Sequence, residues 1–208
     1  MQHMNEFDIK AKEWDSSLMH RERAKVVADE ILSRLPLTKS IKALEYGAGT
    51  GLLSFNLREY LGEITMIDSS QGMVNVLNEK IRNSGSDNMN AAMINLEKED
   101  YPAEKFNLIY TLMVLHHVSD LDRVLDRFSN MLMPGGYLAI ADLHSEDGSF
   151  HGEGFSGHKG FDTGRLAAML EKHGFADIDH SDVYLIDKIT ADKNRKQFQV
   201  FLMTAVRK

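Results

Sequence analysis

The stretch ALEYGAGTG, residues 43–51, decides how the rest of the chain is interpreted. An apolar run over residues 41–46 predicts a short buried strand, and residues 51–60 suit a helix. The turn between them places glycines at every second position, namely Gly47, Gly49 and Gly51. Because glycine loses the most backbone entropy on folding, this repetition indicates a tight turn or a backbone that a ligand must approach closely.

Strand-like and helix-like segments alternate outward from this turn. Further strands are predicted at residues 63–67, 91–94, 106–112, 137–143, 183–189 and 197–206. Further helices are predicted at residues 6–35, 73–81, 121–133 and 163–172. Such alternation predicts a doubly wound α/β fold, with helices on both faces of a mostly parallel sheet. The last two strands follow one another without a helix between them, so they are predicted to pair antiparallel.

Composition limits the classes of protein to consider. The chain has 208 residues, a formal net charge of −7 and no cysteine, so disulfides and thiolate chemistry are excluded. Its acidity argues against binding to nucleic acid or anionic membranes. A polar N-terminus and the absence of any long apolar run predict a cytoplasmic protein. We expect one domain over residues 1–208: a helical segment (1–36), a core (41–143) and a Gly/His-rich loop (144–164).

The second predicted strand ends in an acidic residue, Asp68. A carboxylate there can accept both hydroxyl groups of a ribose, although Asp68 or Ser69 could instead cap the next helix. A dinucleotide-binding fingerprint requires a third glycine where this chain has Leu52. That difference counts against a nicotinamide-dependent oxidoreductase. The glycine turn and Asp68 together indicate a nucleoside that bears an acidic or zwitterionic tail.

The chain resembles the class I S-adenosylmethionine-dependent methyltransferases of the small-molecule type. The resemblance rests on LEYGAGTG (44–51), MIDSSQGMV (66–74), the segment 106–143 from FNLIYTL to LAIADL, and FDTGRLAAMLEKHGF (161–175). It implies a seven-stranded sheet of order 3-2-1-4-5-7-6 whose last strand is antiparallel. It also implies methyl transfer from S-adenosylmethionine, with S-adenosylhomocysteine as product, to a small-molecule acceptor. A non-catalytic cofactor-binding or regulatory protein on the same fold is the alternative.

Family resemblance also implies roles for individual residues. Glu45 and the backbone of Gly47, Ala48 and Gly49 would hold the methionine part of the cofactor, and Asp68 its ribose. Ser69 and Met73 would lie beside the adenosine, Asn95 and Leu96 beside the adenine, and Thr111 near the methionine part. Two positions depart from the family pattern: Ala48 stands where Cys is common, and Asn95 where Asp is frequent.

Histidines are the candidate acceptor-site residues. His116 and His117 follow the fourth strand in VLHHVSD, and adjacent residues cannot both point the same way. We assign His117 a catalytic role and His116 a substrate contact, with structural packing as the alternative for each. A base helps where the acceptor must lose a proton.

A second group of histidines lies in residues 142–162, DLHSEDGSFHGEGFSGHKGFD. Six glycines between Gly148 and Gly164 suggest a mobile loop that closes over the acceptor, with a solvated loop as the alternative. We expect His144, the first choice for the base, and His151 to be catalytic and His158 to contact substrate. No metal is predicted, because the histidines show no compact ligand spacing, although a metal site is a third interpretation.

The N-terminal segment contains the only tryptophan, Trp14. We expect it to contact the substrate as part of a helix that folds over the cofactor and acceptor. The alternative is a helix that packs on the sheet. The reacting atom of the acceptor and the oligomeric state stay open.

Overall fold

A computed structural model describes residues 6–101 and 104–208. Its strands are β1 (Lys42–Tyr46), β2 (Glu63–Asp68), β3 (Met89–Met93), β4 (Phe106–Leu112), β5 (Leu132–Leu143), β6 (Phe175–Ile189) and β7 (Arg195–Arg207). Its α-helices are α1 (Glu6–Lys10), α2 (Leu18–Arg34), α3 (Leu52–Leu57), α4 (Gln71–Ser84), α5 (Leu121–Met131) and α6 (Thr163–Lys172).

The seven strands form one sheet in the order β3-β2-β1-β4-β5-β7-β6. Strands β1 to β5 pair in parallel, whereas β7 pairs antiparallel with both β5 and β6. The predicted fold and strand order are therefore confirmed. The order reverses between β1 and β4, and the crevice at the carboxyl ends of such strands is where open α/β sheets bind ligands.

Alternation along the central strands builds an apolar layer on each face of the sheet. In β4, Leu108 and Tyr110 pack on one side with Val27 of α2, while Ile109 packs on the other with Phe128 of α5. All five side chains are fully buried. The sheet is thus fixed from both sides, which holds the ends of β1 and β4 in place.

The prediction of one continuous helix over residues 6–35 is wrong. This part of the chain is divided into α1, a 3-10 turn (Ala11–Ser16) and α2. The break arises because Ser17 adopts an extended conformation and its hydroxyl accepts the His20 amide hydrogen at 3.3 Å, capping α2. The segment before Ser17 can therefore leave the axis of α2.

The Gly/His-rich loop returns to the sheet edge from which it leaves. The Phe161 amide donates to the Leu143 carbonyl at 2.8 Å, and the Ser145 amide donates to the Phe161 carbonyl at 3.0 Å. These bonds tie the two ends of the loop together beside β5. No helix in the described parts of the chain is long and apolar enough to cross a membrane.

Candidate active site

The glycine turn after β1 has the backbone shape that its sequence predicts. Gly49 lies in the left-handed region with φ +54°, where side chains other than glycine are strained. A Cβ added there would meet only the Met73 sulfur, at 3.9 Å. The turn therefore leaves open space on the side that faces Met73.

Asp68 connects this turn to the start of α4. Its carboxylate accepts the Gly49 amide at 2.7 Å and the Ser70 amide at 2.8 Å. Burial raises the pKa of Asp68, and these amide hydrogen bonds oppose that rise. The side chain that caps α4 belongs to Ser70, which accepts the Met73 amide at 3.2 Å. Asp68 is therefore not the helix cap, and its carboxylate lines the cavity beside the glycine turn.

Glu45 is a buried carboxyl group at the end of β1. The Ser54 hydroxyl donates to it, and the Tyr110 hydroxyl lies 2.6 Å from that of Ser54. Burial raises the pKa of Glu45 to about 8, although the hydrogen bonds from Ser54 act to lower this pKa. A cation placed beside this carboxyl would favour its ionised form.

The segment from Phe7 to Ser16, hereafter the strap, lies across the start of α4 and the glycine turn. Asp8 accepts the Gly72 amide at 2.8 Å and the Ser70 hydroxyl at 2.6 Å. Asp15 forms an ion pair with Lys80 and also accepts the Thr50 hydroxyl. Trp14 thereby comes to line the cavity, as expected for a segment that folds over the ligand.

A cavity of about 780 Å³ opens at the carboxyl ends of β1 and β4. Most of the sequence-predicted site residues line it: Trp14, Glu45, Gly47, Ala48, Gly49, Asp68, Ser69, Met73, Asn95, His116, His117 and His151. Those predicted to hold the cofactor lie at one end, around the glycine turn. The histidines, with Phe150 and Phe155, form the other, hereafter the histidine end.

His116, His117 and His151 form a cluster at the histidine end. Each offers a ring nitrogen, and the three atoms lie within 4.8 Å of one another. The buried Asp142 carboxylate lies 2.5 Å from Nδ1 of His116 and accepts the Leu143 amide at 2.7 Å. Since a carboxylate can only accept, Nδ1 of His116 carries a hydrogen, and in the neutral imidazole Nε2 is then the acceptor.

Four predicted site residues lie elsewhere. His144 turns toward β6 and β7, where its Nε2 bonds Asp182 at 2.7 Å and its ring packs on Phe201. His158 packs against Phe161. Leu96 belongs to the apolar core, and the Thr111 hydroxyl donates to the Tyr46 carbonyl at 2.9 Å. None of the four lines the cavity among the described residues, so the structure does not support His144 as the base.

The sequence interpretation missed two basic side chains that line the cavity. Arg23 is 6% exposed, its Nε has no hydrogen-bond partner among the described residues, and burial lowers its pKa to about 10. Lys188 of β6 has a pKa lowered by burial and by Lys10, which also lines the cavity. Arg23 could have been found, since a charge interrupts the apolar stripe of α2 there. Lys188 could not have been found in this way, because a lysine in a strand with a polar, solvent-exposed pattern is common.

Comparison with known proteins identifies the family. A family model described as a methyltransferase domain matches residues 19–184. The chain belongs to the class I S-adenosylmethionine-dependent methyltransferases. This confirms the family, and with it S-adenosylmethionine as cofactor, that the sequence predicted.

Individual relatives agree with this assignment. An uncharacterized methyltransferase of Schizosaccharomyces pombe is 35% identical over 116 residues, 52% of this chain and 41% of the relative. The ubiquinone/menaquinone biosynthesis C-methyltransferase UbiE of Vibrio vulnificus is 30% identical over 106 residues, 49% of this chain and 41% of the relative. The matched segments thus span less than half of the length of these relatives.

Similarity to solved structures extends over almost the whole chain. A Haemonchus contortus phosphoethanolamine N-methyltransferase 2, in complex with S-adenosyl-L-methionine, has a TM-score of 0.71 at 14% identity. The match covers 98% of this chain and 60% of that one. At this identity the similarity shows the fold alone.

The residues of this methyltransferase fit the cofactor. The backbone at Gly49 leaves room for a ligand, while Asp68 presents a carboxylate to the cavity beside it. Glu45 supplies a second carboxyl group, which suits the amino group of the methionine part. The residues around the glycine turn would therefore hold the nucleoside and its charged tail.

Proposed function

We propose that this methyltransferase transfers a methyl group from S-adenosylmethionine to a small anionic acceptor bound at the histidine end of the cavity. One observation carries the proposal: a single cavity has carboxyl groups and a glycine turn at one end, and histidines with basic side chains at the other. The cofactor and an anionic acceptor can therefore be bound next to each other inside this cavity.

The size of the cavity supports a small acceptor. Its volume of about 780 Å³ lies within the range of roughly 300–1,000 Å³ that is usual for small-molecule sites. Trp14 of the strap and Phe150 and Phe155 of the loop contribute apolar walls. The UbiE relative is named for ubiquinone and menaquinone biosynthesis, which agrees with a small acceptor.

The charge of the histidine end supports an anionic acceptor. Arg23, Lys10 and Lys188 all line the cavity, and burial disfavours the charged forms of Arg23 and Lys188. A carboxylate or phosphate on the acceptor would offset this cost and supply an acceptor atom for the Arg23 Nε.

The chain's own residues would bind, orient and shield the reactants. When bound, S-adenosylmethionine supplies an activated methyl group on a sulfonium sulfur. Asp68 and Glu45 would hold its two polar ends, and the strap would exclude water above them. Arg23 would fix the acceptor in line with the methyl group, because orientation supplies much of the rate enhancement in such displacements. The histidine cluster would lie beside the acceptor atom that receives the methyl group.

The test is to measure S-adenosylhomocysteine formation with a panel of small carboxylates, phosphates and their neutral esters. We expect turnover with acids and not with the matched esters. Arg23→Met should raise KM by about 10- to 150-fold, since a charge-assisted hydrogen bond contributes about 1.5–3 kcal/mol. Turnover of esters alone would contradict the anionic acceptor. Cofactor binding without any product, across the whole panel, would favour the non-catalytic alternative.

A further inference from the structure

The three histidines of the cluster bring one ring nitrogen each to within 4.8 Å of the other two. Their ring centroids are separated by 4.3 Å (His116–His117), 5.1 Å (His116–His151) and 4.9 Å (His117–His151). Three imidazoles bound to one tetrahedral ion at about 2.1 Å would have centroids about 5 Å apart. The rings are therefore close enough together for the three to converge on a single ion.

The environment of His116 is that of a metal ligand. A metal-bound histidine almost always donates its other ring hydrogen to a carboxylate or carbonyl group, which fixes the ring and raises its basicity. Asp142 does this for His116 at 2.5 Å, while both side chains are fully buried. The Asp142 carboxylate also supplies negative charge behind the cluster.

The other two histidines, His117 and His151, are held by packing against a phenyl ring of the loop. His151 stacks on Phe155 with ring centroids 3.9 Å apart, and His117 packs edge-on against the same phenyl ring at 5.3 Å. His116 is buried, His117 half-buried and His151 exposed, so the cluster leads from the core to solvent. The buried His116 would hold the ion in place, and the exposed His151 would let the ion enter from solvent.

We propose that His116, His117 and His151 bind one divalent transition-metal ion of the zinc class, with a fourth position open to the acceptor. Three neutral imidazoles suit Zn²⁺ or Co²⁺, whereas Mg²⁺ and Ca²⁺ require oxygen ligands. Three protein ligands with one open position are typical of catalytic zinc sites.

Such an ion would explain how the histidine end activates an acceptor, and in this respect the inference rests on the proposed function. An acceptor hydroxyl or thiol would bind the open position and release its proton to water. Its lone pair would then form the new bond to the methyl carbon as the S–CH₃ bond breaks and S-adenosylhomocysteine leaves. The anionic acceptor and Asp142 would offset the charge of the ion.

The experiment is a calorimetric titration of metal-stripped protein with Zn²⁺, repeated with Co²⁺ while visible absorption is recorded. We expect one ion per chain and tetrahedral Co²⁺ bands. His117→Ala and His151→Ala should each weaken binding by more than about 100-fold, and Asp142→Asn by about 10- to 100-fold. The matched controls, His144→Ala and His158→Ala, remove histidines of the same loop that lie outside the cluster and should bind as the unaltered protein does.

Two outcomes would overturn the proposal. One is no stoichiometric binding, and the other is equal binding by the cluster variants and the controls. If the variants fail to fold, X-ray absorption of the Zn²⁺-loaded unaltered protein decides, since it should show three imidazole ligands and any other ligand set contradicts the site. Titrating the same metal-stripped sample with S-adenosylmethionine separates the two proposals: cofactor binding without zinc binding removes the metal site and leaves methyl transfer intact.

Discussion

The glycine turn after β1 and the glycine-rich loop after β5 border the same cavity, yet Gly49 of the turn and Gly157 and Gly160 of the loop are glycines for opposite reasons. A Cβ at Gly49 would meet nothing closer than the Met73 sulfur at 3.9 Å. A Cβ at Gly157 would lie 2.2 Å from the His116 carbonyl oxygen, and one at Gly160 would lie 2.0 Å from the His144 carbonyl oxygen. Gly49 leaves space for a ligand, whereas Gly157 and Gly160 let the backbone of the loop press against the protein. Gly47 and Gly51 of the turn are crowded as well, since a Cβ at either would lie 2.5 Å from a side-chain carbon.

This difference changes what the loop can do. The His158 amide donates to the His116 carbonyl at 2.7 Å, so the loop is hydrogen-bonded to the segment that carries His116. Gly157 thus supports the placement of His116 through close packing. Glycine content alone therefore does not indicate a mobile segment, because glycine permits both freedom and close approach.

The largest expected effect concerns the carboxylate that joins the glycine turn to the cavity. Asp68→Ala should weaken S-adenosylmethionine binding by about 10- to 150-fold for each ribose hydrogen bond lost, because such bonds contribute about 1.5–3 kcal/mol. Calorimetric titration measures this. Asp162→Ala is the control: it removes the cap of α6, away from the cavity, and should lower the free energy of unfolding by about 0.5–2 kcal/mol without this loss of affinity. Unchanged affinity in Asp68→Ala would remove Asp68 from the site.

The second prediction tests crowding in the loop with two glycines of similar backbone conformation. Gly160 and Gly154 have φ values of +68° and +86°, but a Cβ at Gly154 would meet nothing within 4 Å. Both alanine variants share the strain of left-handed backbone, whereas only Gly160→Ala adds overpacking. Its free energy of unfolding should fall by about 1–3 kcal/mol more than that of Gly154→Ala in urea denaturation. Equal losses would show that the loop is not closely packed.

The third prediction applies the same design to the glycine turn. Gly49 and Gly85 both have left-handed backbone and open surroundings, but Gly85 ends α4 away from the cavity. Gly49→Ala and Gly85→Ala should lower stability equally. Only Gly49→Ala should weaken cofactor binding, by about 10-fold, since its methyl group takes space the ligand needs. Equal affinity in the two variants would mean that the turn has no ligand role.

The last of these predictions concerns the charge of Glu45. Its pKa of about 8 in the folded protein lies above the ordinary value of 4.5, so between these values the folded protein holds a proton that the unfolded chain has released. The free energy of unfolding should therefore fall as pH rises through this window, by up to about 1.4 kcal/mol per pH unit. Glu45→Gln should flatten the profile in urea denaturation at a series of pH values. Parallel profiles would show that Glu45 is ionised throughout.

The sequence could predict the features that follow from local pattern. Alternating apolar segments predicted the sheet, and the glycine turn with Asp68 predicted residues that line one end of the cavity. These succeed because the turn and the strand end are fixed by residues next to them in the chain. The antiparallel β6–β7 pair was also predictable, because no helix separates the two strands.

The histidine end could not be predicted in the same way. His144 lies closest in sequence to β5, yet it turns toward Asp182 on β6, while His151 reaches the cavity from the middle of the loop. Asp142 reaches His116 only because β4 and β5 are neighbours in the sheet. Which histidines converge depends on the path of the loop, and that path is set by contacts between residues distant in sequence.

The proposed function requires one cavity to hold the cofactor at the glycine turn and to direct its sulfur toward the histidine end. A crystal structure with S-adenosylhomocysteine would show whether it does. We expect ribose hydroxyls on the Asp68 carboxylate, the amino group beside Glu45, and the sulfur facing His116, His117 and His151. A nucleoside bound away from Asp68, or a sulfur directed away from the three histidines, would contradict it.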